Sequence, residues 1–346
     1  MNNKYPLAPA ILFLGLAVLV VLGCKKNFPD VREALGNDSR FTNITYEPIL
    51  GRNTLFTGNF FAGSSSQPLN FKIINMRKRD GSAAPELTEN VPVYVWKQPY
   101  LGDEKSLAEI DAKRAVEYHP TFEVREHSGQ FLMWANNSTA IKTQPDSGYV
   151  FDIEMSNKGG RRYFRDFKLK PLKARPFEPS NLDPLTGMER SKFVRPTAAI
   201  NMVGDKTGAF LFSSDIEVYF KKDNLLSAEK QKNQVTIKLV DSLYKPINPD
   251  KFRLTDWKNL MHGFNMNKTD STVTYDVAYP IPLITYQTKY TSPDGAKSRL
   301  YFSYDRLGFG GKREVAGLLM DFNIFEPGSW NIIIRFSAET PKFTND

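Results

Sequence analysis

Chemistry in this 346-residue chain would have to come from three histidines, one cysteine, four tryptophans and scattered carboxylates. His119, His127 and His262 show no spacing such as H-E-x-x-H that would set two imidazoles on one helix face. His119 precedes Pro120, His127 opens a Ser-Gly turn and His262 lies in a polar stretch, so all three read as loop histidines. No metal and no cofactor is expected. Gly308-Phe309-Gly310-Gly311-Lys312 is followed by Arg313 and another apolar run, not by the Ser or Thr and helix of a phosphate loop, and reads as a tight turn. Asp152, Glu154 and Glu217 fall on the polar positions of alternating strands, where solvation explains them. No pair of acids is marked for glycoside cleavage, so no catalytic residue is assigned. Trp134 and Trp330 stand in strongly apolar strands and read as core. Trp96 with Tyr100, and Asp256 with Trp257 and Asn259, stand where a strand gives way to polar loop. A flat ring beside hydrogen-bonding side chains suits a sugar, which makes these five the candidate ligand-binding residues.

The single cysteine forbids an intramolecular disulfide or a cysteine-based zinc site. It follows a leader with Lys4, the apolar run 11–22 and Gly23. Twelve helical residues rise about 18 Å, short of a roughly 30 Å hydrocarbon layer, so an export signal is the better reading than a span. Val21-Leu22-Gly23-Cys24 resembles a bacterial lipobox, although lipoboxes prefer Leu where Val21 stands. The resemblance makes Cys24 the lipid-bearing first residue of the mature chain. Lys25 rather than Asp after it points to the outer membrane, with the facing side left open.

With 46 Lys+Arg against 38 Asp+Glu the formal charge is +8. Arg161, Arg162, Arg165, Lys168, Lys170, Lys173 and Arg175 crowd one strand and its exit. They would attract acidic glycan or a membrane surface, or simply discourage edge pairing. An exported chain without a recognised motif is not expected to bind nucleic acid.

These residues need a scaffold, and 41% hydrophobic with 24% charged residues excludes disorder and fits about two domains. The pattern divides as a signal peptide over 1–23, a tether over 24–40, a β domain over 41–170, a Pro-rich linker or strap over 171–196 and a second β domain over 197–346. Period-two alternation predicts strands over 53–61, 68–76, 91–96, 129–134, 149–155 and 162–169, then over 210–220, 235–240, 272–277, 283–290, 299–304, 315–325 and 330–336. Ser106-Leu107-Ala108-Glu109 reads as a capping box opening a surface helix over 107–118. Tyr149 and Trp330 each follow a Pro/Gly turn and lead an alternating run, an arrangement that resembles the tyrosine corner of immunoglobulin-like sandwiches. The expected fold is all-β: two antiparallel immunoglobulin-like β-sandwich domains with one short surface helix.

The lipobox with Cys24-Lys25-Lys26, the Tyr46-Glu47-Pro48-Ile49-Leu50-Gly51-Arg52 segment and the two β-rich halves resemble a family of Bacteroidota-type lipoproteins known as a domain of unknown function. Its members are often associated with glycan-utilisation loci. The resemblance implies a non-catalytic protein held to the outer membrane by its lipid anchor, binding or presenting polysaccharide beside an outer-membrane transporter complex. A structural partner of such a complex and a glycoside hydrolase are the alternatives.

Overall fold

The computed structural model describes residues 33–136, 138–145, 148–223 and 232–343; Cys24 and the leader lie outside the described residues. In the first half, a four-stranded sheet runs in the order Thr45–Tyr46, Gly160–Leu169, Tyr149–Asn157, Asn70–Lys78. Tyr149, Phe151, Ile153 and Met155 are all fully buried, as their alternation requires, and pack with Phe131 and Phe122 of the facing three-stranded sheet. Each such side chain removed from water contributes roughly 1.5–3 kcal/mol. Phe131 sits edge-on to Phe151 at 5.4 Å and to Tyr46 at 4.7 Å, geometries that aromatic quadrupoles favour.

The second half is a larger sandwich. Its five-stranded sheet runs Ile216–Lys222, Ser329–Phe336, Gln234–Val240, Val273–Asp276, Phe264–Lys268. Opposite it, Arg313–Ile324 pairs along its length with Ser298–Leu307 and, on its other edge, with Ala198–Ile200 and Phe177–Glu178. Ile332, Ile334 and Phe336 from one sheet and Leu318, Met320 and Phe322 from the other share one buried cluster. The all-β sandwich expectation holds, with one difference: Gln234–Val240 lies parallel to Ser329–Phe336, and Gly160–Leu169 meets Thr45–Tyr46 in parallel.

Both corners form as expected. The Tyr149 hydroxyl accepts the Lys142 N–H at 2.7 Å and donates to Glu86 at 3.0 Å; Trp330 Nε1–H donates to the Glu326 carbonyl at 2.8 Å. Gly310 and Gly311, with φ of 79° and 74°, make the tight turn after Ser298–Leu307. The stretch 171–196 bonds to both halves: Leu172 pairs with Ile49 of the first, while Phe177 stacks on Phe220 at 4.7 Å and Val194 pairs with Val218 on the outer edge of the five-stranded sheet. That covers an edge that would otherwise be open.

Several expectations need correction. The helix ends at Ala112, and Arg114–Pro120 is instead a strand paired with Asn90–Trp96. Val91, Val93 and Val95 offer it a β-branched partner, and pairing outweighs helical propensity. Ser106 does cap the helix, accepting the Glu109 N–H at 3.2 Å, but the Glu109 carboxylate returns to Lys105 N–H, one residue early. It is a surface helix as expected, with Ala108, Glu109, Asp111 and Ala112 exposed, and the 1% exposed Ile110 packs it onto the second half. A second short helix, Pro85–Thr88, was not expected. The stretch 283–290 forms no strand: the Thr288 and Thr291 hydroxyls bind Tyr290 N–H and Thr288 N–H locally, competing with a ladder. The strand expected over 210–220 begins only at Ile216; before it Phe210 makes an isolated bridge to Val203, and Phe210 and Phe212 are exposed.

Asp152 is not a solvated strand acid. It is 7% exposed and lies between two bulges, where Asn75 and Asp166 adopt φ of 52° and 61°. Its carboxylate accepts Asp166 N–H at 2.9 Å and Asn75 Nδ2–H at 3.0 Å, with Arg77 3.5 Å away. Among the clustered cations, Arg162 binds the Gly36 carbonyl at 2.8 Å and Arg175 pairs with Glu178 at 3.1 Å. The outer edge of Gly160–Leu169 pairs, among the described residues, at Lys168 and Leu169. Among the described residues, no helix is long and apolar enough to cross a membrane, and no group of three or more His, Cys, Asp or Glu converges as a metal site.

Candidate functional site

Between the strands of the ribbon Asn90–Trp96 and Arg114–Pro120, the segment 97–113 leaves the first half and docks on the second. Leu107 and Ile110 of the helix Leu107–Ala112 pack with Ala278, Leu283 and Phe264. Arg114 donates to the Tyr279 carbonyl at 3.2 Å while Asp111 holds its Nε at 3.0 Å. The turn before the helix needs Gly102: φ is +78°, and a Cβ there would lie 2.6 Å from Thr288 Cγ2.

Glu104 anchors that turn. Its side chain is 1% exposed, yet it accepts the N–H groups of Leu101 and Gly102, each at 3.0 Å, and pairs with Lys113. Burial alone would raise its pKa, but the Lys113 ammonium and the backbone donors win and bring it down to about 2.

His262, from the second half, completes the joint. Nε2 reaches the Glu104 carbonyl at 3.0 Å, and Nδ1 meets the Tyr100 hydroxyl. A carbonyl can only accept, so Nε2 carries the proton and Nδ1 accepts from Tyr100. Burial pushes the imidazole below its ordinary value, with the Glu104 carbonyl contact opposing, and burial together with the Glu104 charge pushes the Tyr100 phenol up. Around neutral pH both are uncharged and matched. The His262 ring stacks on Tyr290 at 4.9 Å and 3°, and the Lys289 ammonium lies over Tyr290 at 4.9 Å.

Beside this stack opens a groove of about 610 Å³, lined by Asp103, Lys258, Asn259, Asn265, Lys289 and Tyr290 among others. That is within the ~300–1,000 Å³ range of ligand clefts. Lys289 donates to Asn259 Oδ1 at 3.3 Å, and Asn259 is fixed by Asp256 through its N–H at 3.2 Å and Nδ2 at 2.9 Å. The wall therefore presents ammonium donors, amides of both kinds and carboxylate acceptors on a fixed frame.

Of the five residues expected to bind ligand, Asn259 lines the groove and Asp256 orients it. Tyr100 is buried under the groove as the partner of His262, and Trp96 is half-buried, 5.6 Å from Tyr100. Trp257 does not offer a platform. Asp256 caps the 3₁₀ turn Trp257–Asn259, the ring turns inward to Phe302 at 5.7 Å, and only 7% of the residue stays exposed. His119 is not a loop histidine either; it lies in strand Arg114–Pro120 and reaches Glu117 at 2.9 Å and Glu123 at 3.0 Å. Sequence reasoning missed His262, Lys289 and Tyr290 as site residues. The only local signal was the run of Thr288, Thr291 and Ser292, which favours a bonded loop over a strand.

Two β-sandwiches clasped by a docking loop, with a polar groove at the clasp, define an all-β protein. The chain belongs to the family described as domain of unknown function DUF5007, which matches residues 60–345. No curated protein matches it.

Proposed function

We propose that this protein is anchored to the outer membrane through a lipid on Cys24 and that the groove at the clasp holds glycan without cleaving it, presenting it to an uptake system. The observation that carries the reading is the groove wall: Lys258, Asn259, Asn265, Lys289 and Asp103 together donate and accept hydrogen bonds as the hydroxyls of a saccharide require. Retention without cleavage is supported by Glu104. A general acid for glycoside cleavage needs a raised pKa, whereas Glu104 is saturated by Lys113 and two N–H groups and titrates near 2. The lipobox around Cys24 supports the address, as does the family resemblance to lipoproteins of glycan-utilisation loci.

The test is a glycan array probed with the lipidated protein in detergent micelles, wild type beside Lys289→Ala and Asn259→Ala. Retention should fall at least tenfold in both variants while the thermal midpoint moves by no more than ~2 °C, as expected of exposed or rim positions. Wild-type protein retained by no glycan would end the reading.

A further inference from the structure

The ribbon that carries the docking segment has two unlike faces. One buries Val93, with Val91 and Val95 beside it, against Leu132 and Trp134. The other follows the register Pro92↔Tyr118, Tyr94↔Val116, Trp96↔Arg114, which places all six side chains on one side. Tyr94 is 62%, Val116 50% and Tyr118 68% exposed. The solvent face of a two-stranded ribbon is ordinarily polar, and an exposed apolar face of this kind marks a contact surface. Its one charge is neutralised, since Arg114 lies over the Tyr94 ring at 4.6 Å with Asp111 bonded to its guanidinium.

The face also leads somewhere. Trp96 contacts Tyr100 at 5.6 Å, Tyr100 contacts His262 at 5.5 Å, and His262 stacks on Tyr290 at the groove. Tyr94 and Tyr118 are thus open to solvent, with same-face neighbours on a strand about 7 Å apart, and the half-buried Trp96 and buried Tyr100 tie that face to the groove. A seven-residue, two-stranded face covers on the order of 250 Å², far below the roughly 800 Å² per partner of a stable protein interface. A narrow, uncharged face carrying exposed rings suits a linear chain whose units have apolar faces and polar rims.

We propose that the outer face of the ribbon extends the groove into a track for a neutral, linear polysaccharide, with sugar rings lying on Tyr94 and Tyr118. This rests on the glycan reading of the groove and adds the polymer and its path. Native affinity electrophoresis of the lipidated protein in detergent, in gels containing starch, xylan, glucomannan or pullulan, tests it. In the gel that retards the wild type, Tyr94→Ser/Tyr118→Ser should bind at least tenfold more weakly with an unchanged thermal midpoint, and each single variant should fall between. A double variant retarded within twofold of wild type, while Lys289→Ala loses retardation, overturns the track and leaves the groove reading standing. Wild type retarded in none of the four gels overturns both. A double variant that keeps its retardation but no longer co-purifies with an outer-membrane protein also overturns the track, making the face a protein contact.

Discussion

The Tyr100 hydroxyl donates to Nδ1 of His262 across the joint between the two halves, joining residues 162 positions apart. The bond exists only while the imidazole is neutral, because a protonated Nδ1 has nothing to accept with. Burial holds the folded pKa of His262 below 6.5. The unfolded chain therefore takes up a proton first as pH falls. Stability contributed by this site is complete above pH ~6.5 and declines as pH drops from there toward the folded pKa. Thermal midpoints recorded from pH 8 to pH 5 should show this decline, and Tyr100→Phe should already be destabilised at pH 7.5 by ~1–3 kcal/mol through the stranded acceptor.

His119 should titrate the other way. The Glu117 contact raises its pKa, burial opposes, and Glu123 adds to the rise. A raised folded pKa means that its stabilisation is fully present below pH ~6.5 and is lost as pH climbs through the folded value. Nuclear magnetic resonance titration of the imidazole Cε1–H signals should give a midpoint above 6.5 for His119 and below it for His262. Coincident midpoints would contradict both assignments.

Replacing Asp152 tests the double bulge. Asp152→Ala strands the Asp166 N–H and the Asn75 amide and leaves Arg77 without a buried partner. Arg77 keeps Asp166 at 3.1 Å, so a loss of ~1–3 kcal/mol is expected, as for buried donors left unsatisfied. Urea unfolding should show a lower midpoint with little change in slope.

Gly102→Ala should loosen the clasp. An alanine would sit at φ +78° with its Cβ inside the contact distance of Thr288. The strain costs ~1 kcal/mol or more, and the 97–113 segment should become more open to protease than in wild type. Unchanged cleavage there would show that the turn does not set the docking.

Cys24→Ala addresses the anchor. If the thiol carries the lipid, the variant should move from the membrane pellet to the soluble fraction, since stable anchoring needs the acyl chains. A variant that stays in the pellet without detergent would remove lipidation as the tether.

Much of the scaffold was legible because it is local. Tyr149 to Met155 and Ile332 to Phe336 alternate with period two, and each buries the predicted side. The corners at Tyr149 and Trp330 were visible because turn chemistry sits beside the ring in sequence. The groove was not legible, because Asp103, Asn259 and Lys289 come from three loops brought together only by long-range packing. Asp152 looked solvated because alternation gives a side chain's face and not what two bulged neighbours place there. Trp257 looked like a platform because sequence shows the polar Asp256 and Asn259 but not that their capping turn rotates the ring inward. Arg114–Pro120 was hidden by a real helix start, whose end depended on the partner strand Asn90–Trp96.

Ser329–Phe336 lies between Ile216–Lys222 and Gln234–Val240 in the five-stranded sheet, and Arg313–Ile324 just before it is the hub of the facing one. A nascent chain therefore carries Ile216–Lys222 and Gln234–Val240 with nothing between them until residues 329–336 have been made. The second sandwich can close only once Arg313–Ile324 and Ser329–Phe336 have both been made. A stop codon before residue 313 would deprive both layers at once, so truncation there would cost this protein an entire half.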